Sequence, residues 1–281
     1  MDAALKVAIK KLAAPDFGKF CFWLVFDVTA LVVLLITSGF VPFYLLPLFI
    51  LAIGVFQHRL ALIGHDLCHV RFFKNRFFNM LALEVIGQSI FITGFDGYRE
   101  YHLDHHSHVG SEHDPELSYR KGWGHSISLK KILIGFVGDL FGLGIVSLFR
   151  FLLDVFPTTV GSRCRLVGGW VLIVSIAWLL GGLFYVGIWV ISLLTTFWAV
   201  FRVRAYLEHV GVADHGKHTS HRFFTNGLLK PIFFPHNTWC HYEHHLFPTI
   251  PFHNLPQLRE LLKSDEYKSI RPLKEAILNP Q

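Results

Sequence analysis

Two pairs of long apolar stretches, 20–40 with 43–64 and 166–180 with 184–203, constrain this chain more than any other feature of it. About 20 apolar residues at roughly 1.5 Å each cross a hydrocarbon core of about 30 Å. Each stretch is therefore long enough for a helical span, the third only marginally. Val41-Pro42 and Gly181-Gly182 supply the turns. The expected fold is an all-α integral membrane protein with two transmembrane helical hairpins, four spans in all, and a cytoplasmic helical cap. Composition agrees, since 52% of the 281 residues are apolar, 16% are charged and the mean hydropathy is +0.44, beyond an ordinary soluble domain. Asp27 interrupts the first span; a carboxylate there is costly and is expected to face protein or a polar partner.

The whole chain, 1–281, reads as a single unit. Residues 1–19 carry Lys6, Lys10 and Lys11 among apolar residues and lack a continuous apolar core, which predicts a basic amphipathic helix at the membrane surface rather than a signal peptide. Residues 77–95 are apolar but broken by Glu84, Gly87, Gln88, Ser89 and Gly94, a pattern for a semi-buried or re-entrant helix. One or two interfacial helices are expected in 129–156, and a terminal helix near 257–263. Lys and Arg number four in 1–19, twelve in 57–165 and ten in 202–281, with none in either turn. By the positive-inside rule both termini and the two polar regions, 65–165 and 204–281, lie in the cytoplasm. The net charge of +6 is then topology signal and docking charge for an acidic partner, not a nucleic-acid surface. Four cysteines without a C-x-x-C pair exclude an iron–sulfur cluster and a zinc knuckle.

Three histidine clusters lie in the polar regions: His65 with His69, His102 with His105 and His106, and His241 with His244 and His245. On a helix, positions i, i+3 and i+4 share a face, so each cluster presents its imidazoles as one patch. Eight imidazoles exceed what one zinc needs and point to two metals or a larger polynuclear site; iron, copper, nickel and zinc all accept this ligand. His58, seven residues before His65 on the same helical stripe, is expected to make a plain hydrogen bond. A poly-imidazole site above an apolar bundle suits a long hydrocarbon substrate. Breaking an unactivated C–H bond needs a redox metal and dioxygen. Asp66, Asp104, Asp114, Glu208 and Glu243 lie in or beside the clusters and are candidates to orient imidazoles by accepting their second N–H.

These residues resemble the three histidine boxes of the integral-membrane fatty acid desaturase family. The likeness extends to Tyr101-His102-Leu103-Asp104-His105-His106 followed by Asp114-Pro115, and to His241-Tyr242-Glu243-His244-His245-Leu246-Phe247-Pro248 with Asn254-Leu255-Pro256 downstream. It covers about 20–265, in the order span, span, box, box, span, span, box. The resemblance implies a non-haem di-iron centre (two Fe ions), O2 as co-substrate and electrons from a separate donor. It also implies a ninth histidine some 30 residues before the last box, a position that His209 matches. His236 and Asn237, close to the third box, are candidates for a direct or water-mediated ligand. His108, His113, His125, His215, His218, His221 and His253 fall outside the pattern and are expected in solvated loops. No His-Pro-Gly-Gly and no G-x-G-x-x-G stretch is present, so the donor is expected to be another protein, a ferredoxin or a cytochrome b5 type. Hydroxylases and carotenoid ketolases share these boxes. The Tyr242-Glu243 pair and the Leu246–Pro251 continuation favour acyl desaturation. A metal transporter would instead need ionisable residues near the midplane of the spans.

Overall fold

The computed structural model describes residues 3–91, 95–120, 123, 126–210, 220–263 and 267–278. Helices make up nearly all of its regular structure. A short amphipathic helix, α1 (Ala3–Leu12), carries Lys10 and Lys11 in its last turn and buries Ile9. Asp16 then caps α2 (Phe17–Ser38), its carboxylate accepting the Lys19 N–H at 3.0 Å. A single turn at Phe43–Leu45 leads into α3 (Leu46–Leu67), which packs along α2. The later apolar pair is α9 (Val160–Leu179) and a long helix formed by α10 (Leu183–Ser192), a π-helical turn at Leu193–Phe197 and α11 (Trp198–His209).

Four helices are long and apolar enough to cross a membrane: Phe17–Ser38, Phe43–Leu67, Val160–Leu179 and Leu183–His209. The helices extend beyond the expected apolar stretches, α9 beginning six residues before 166 and the last helix continuing six residues past 203 to His209. Hydropathy ends where Arg204 and Glu208 begin, but those two side chains are buried and paired with one another, so the helix continues through them. The π turn has a packing cause. A Cβ placed on Gly54 would lie 2.4 Å from the Thr196 Cβ and 2.7 Å from the Phe197 backbone nitrogen, so the two helices touch backbone to backbone there. Val25, Val33, Leu172 and Leu180 point outward and are exposed, forming the apolar surface that a bilayer would cover.

Between the pairs lie α4 (Arg76–Ile86), a π-helical segment at Gly87–Phe91, α5 (Phe95–His108) and the short α6 (Leu117–Arg120). Then come α7 (Leu129–Leu140) and α8 (Ile145–Asp154), bent 85° from each other at Gly142, whose φ of 79° suits a residue without Cβ. α7 packs against α11, and Arg202 binds the buried Asp139 carboxylate at 2.7 Å. Beneath them Phe151, Trp198, Phe201 and Tyr119 form one aromatic core. After α11 come α12 (Leu229–Phe233), a turn at Pro235–Cys240, α13 (His241–Leu246), α14 (Leu255–Leu261) and α15 (Leu273–Leu278). Two two-residue strands, β1 (Phe223–Phe224) and β2 (Arg271–Pro272), pair in parallel. Neither the strands nor α15 has a periodic signal long enough to be read from the chain.

Candidate metal centre

Four helix ends deliver the histidines. His65 sits in the last turn of α3 and His69 just beyond it, α5 carries His102, His105 and His106, α11 ends on His209, and α13 carries His241, His244 and His245. Because α3 and α11 pack together, their ends converge on one buried volume.

The nine imidazoles form two adjoining groups. Ligand atoms of His65, His102, His106 and His244 all lie within 4.8 Å of one another, and so do those of His105, His209 and His245. Glu208, His209 and His241 form an overlapping set within the same distance. In the first group the His106 Nε2 is 3.1 Å from that of His102 and 3.0 Å from that of His244. In the second, the His241 Nε2 is 2.9 Å from that of His209 and 3.0 Å from that of His245. His69 borders the first group, its ring 4.5 Å from His106 and 4.8 Å from His102. The stacked rings of His106 and His245, 4.3 Å apart, join the two groups.

This arrangement fits metal ions better than it fits hydrogen bonds among imidazoles. His106 and His241 each aim one ring nitrogen at two others, and a single in-plane lone pair or N–H cannot serve both. The Nε2 atoms of His65, His69 and His105 are buried with no hydrogen-bond partner. Two nitrogens at right angles about a metal with bonds of roughly 2.1 Å lie about 3.0 Å apart, which is the spacing observed. Burial pushes the His69 imidazole down to about 4 and that of His106 to about 2. It also holds His102, His241, His244 and His245 well below the usual value, with neighbouring imidazoles adding to the effect. All are therefore neutral at pH 7, the form that ligates.

The carboxylates divide. Asp114, buried, accepts the His105 Nδ1–H at 2.9 Å and so turns the orphaned Nε2 into the site. It also takes the Glu116 N–H at 3.0 Å, and Arg120 stands 3.5 Å away. Glu208 is bound by Arg204 and lies 3.6 Å from the His241 Nε2, while its Oε1 has no partner. The other candidates serve elsewhere. Asp66 accepts the Phe252 N–H at 3.4 Å, and exposed Asp104 pairs with His108 at 2.8 Å. Glu243 is clamped by Arg222 and Arg259, each at 2.6 Å, and Asn237 donates to the Phe252 carbonyl at 3.1 Å.

His236 is not in either group; its Nε2 meets Asp27 at 2.7 Å. His58 is fully buried outside both groups, and its ring nitrogens have no well-formed partner. Its one hydrogen-bonding contact among the described residues is a loose one to the backbone of Ile232. Of the supposed loop histidines, His113 is exposed. His221 departs from expectation, being partly buried with its Nε2 2.7 Å from the Val210 carbonyl, and His253 receives the Asp16 N–H at 3.3 Å. His125, His215 and His218 lie outside the described residues. Sequence reasoning missed the arginines. Arg120, Arg204, Arg222 and Arg259 each bind a buried carboxylate beside the site, and only contact reveals it.

No curated protein matches the chain. The model of one family, described as fatty acid desaturase, matches residues 41–275, a stretch that takes in three of the four long apolar helices and all nine converging histidines. This chain belongs to the fatty acid desaturase family.

Proposed function

We propose that the protein is a membrane fatty acyl desaturase that uses O2 and a histidine-held pair of irons to place a double bond in an acyl chain. Two adjoining groups of neutral imidazoles with orphaned Nε2 atoms carry the reading. His65, His69, His102, His106 and His244 would hold one ion, and His105, His209, His241 and His245 the other. Zinc in a closed structural site takes four ligands, so nine converging imidazoles favour a redox pair over a hydrolytic metal.

When bound, iron supplies the oxidising power that dioxygen needs to attack an unactivated C–H bond. Overall, one –CH2–CH2– unit, O2, two electrons and two protons become –CH=CH– and two waters. The chain's own part is to orient and to exclude water. Asp114 fixes the His105 ring, and Tyr101, Phe151 and Phe201 close the inner side of the centre. A groove of about 460 Å3 supports a hydrocarbon substrate, being lined by residues such as Leu24, Leu31, Leu35, Leu60 and Ile86. Ile86 also packs on Gly64, beside His65.

The two helix pairs act as transmembrane hairpins, and the distribution of basic residues supports a cytoplasmic cap, termini and active site. Electrons come from a separate ferredoxin or cytochrome b5 type protein. The test is mass spectrometry of fatty acids and pigments from cells making the chain, beside a His244→Ala control and a count of bound iron. A new unsaturated acyl species only with the unmodified chain is expected. Oxygenated acyl or carotenoid products would move the reaction to hydroxylation or ketolation on the same centre.

A further inference from the structure

The first long helix contributes no histidine to the metal centre, yet it holds a buried carboxylate that the proposed reaction does not use. Asp27 on α2 is 0% exposed. Its Oδ1 accepts the Arg59 Nε–H at 2.6 Å, and the Arg59 guanidinium lies over the rings of Trp23, Phe26 and Phe56 at 5.4–5.8 Å. That pair alone would satisfy both charges. The second oxygen does something else: Oδ2 accepts the His236 Nε2–H at 2.7 Å, across 209 positions of chain.

His236 and Asn237 are the only described non-glycine residues with positive φ, 52° and 59°. Two successive left-handed residues survive only where their surroundings over-determine them. Here each is tied down. The imidazole is held by Asp27 and set edge-on to Trp23 at 5.6 Å and Phe252 at 5.2 Å; the Asn237 amide donates to the Phe252 carbonyl at 3.1 Å. Four residues after Asn237 the turn becomes α13, whose first residue is His241. A displaced turn therefore displaces the third histidine cluster.

We propose that Asp27 is a positioning residue for the metal centre: through His236 it holds the strained turn that aims His241, His244 and His245. The inference rests on the metal reading above. Arg59 occupies one oxygen of Asp27 within an apolar layer, and the other oxygen of the same carboxylate reaches the His236 ring. A lone ion pair between two spans would need no histidine from residue 236.

The test uses purified chain stripped of metal and titrated with Co2+, read by its visible absorption bands and by metal content per chain. Asp27→Leu/Arg59→Leu removes both charges together and leaves an apolar contact, a change that buried pairs commonly tolerate. It should weaken Co2+ binding about tenfold or more and alter the bands of the ion beside His241. Asp27→Asn/Arg59→Gln keeps an acceptor for His236 and should titrate like the unmodified chain. His236→Phe leaves the Asp27–Arg59 pair intact and should reproduce the Leu/Leu loss, which covers the case in which Leu/Leu does not fold. Unchanged titration of either Leu/Leu or His236→Phe overturns the proposal. So does a loss in Asn/Gln equal to that in Leu/Leu, which would assign the effect to the charges. If the unmodified chain takes up no Co2+, the metal reading fails first and this inference with it.

Discussion

Replacing Asp114 by alanine isolates one oriented imidazole from the rest of the centre. Its carboxylate accepts the His105 Nδ1–H at 2.9 Å, both side chains are about 1% exposed, and the His105 Nε2 behind it has no other partner. A hydrogen bond to a charged acceptor contributes about 1.5–3 kcal/mol. At about 1.4 kcal/mol per tenfold, that predicts metal affinity weaker by roughly 10- to 150-fold. The range agrees with the roughly 10- to 100-fold usually lost when a ligand's outer partner is removed. Asp114→Asn keeps an acceptor oxygen without the charge and should lose only about fivefold, the difference between a neutral and a charged hydrogen bond. Competition between the protein and a chelator for Co2+ measures both. Equal affinity in Asp114→Ala and the unmodified chain would refute the reasoning. Equal losses in the two variants would show that the charge beside Arg120, not the hydrogen bond, is what matters.

Three more expectations concern stability. Glu243→Gln leaves Arg222 and Arg259 buried around a neutral amide; a cost of about 3–5 kcal/mol should lower the thermal midpoint or abolish folded protein, and an unchanged midpoint argues against the clamp. The metal-free chain should weaken as pH falls. His69 is held down to about 4 by burial, so between about 6.5 and 4 the unfolded state binds a proton that the folded state does not. That group alone removes about 3 kcal/mol by pH 4, and a midpoint flat between pH 7 and 4.5 would contradict it. Gly54→Ala drives a methyl into Thr196 and the Phe197 backbone, for an overpacking cost of about 1–3 kcal/mol by thermal unfolding, whereas Gly187→Ala, with open space around it, should change little.

The broad architecture was legible because its signals are local. Long apolar runs mark helices of spanning length whatever surrounds them, and His102-x-x-His105-His106 shares a face by helix geometry alone. His209 was reached only through a family resemblance, since one histidine at the end of an apolar run carries no pattern of its own. The last helix runs past 203, where its apolar stretch ends, for a physical reason: hydropathy counts Arg204 and Glu208 as polar, while the fold pairs and buries them.

Proximity in sequence was a poor guide to which carboxylate serves which imidazole. Asp66, Asp104 and Glu243 sit inside the clusters yet bind a backbone amide, a surface histidine and two arginines, whereas Asp114, eight residues past its cluster, holds His105. On a helix, adjacent residues point to different faces, so a neighbour in the chain is often turned away from the ligand beside it. Helix periodicity and hydrophobic length determined the elements and the histidine patches from sequence alone. Only the tertiary structure decided which imidazole nitrogens converge and which buried charges answer one another. Such pairs, like Asp27 with His236, join residues more than 200 positions apart, and only packing brings them together.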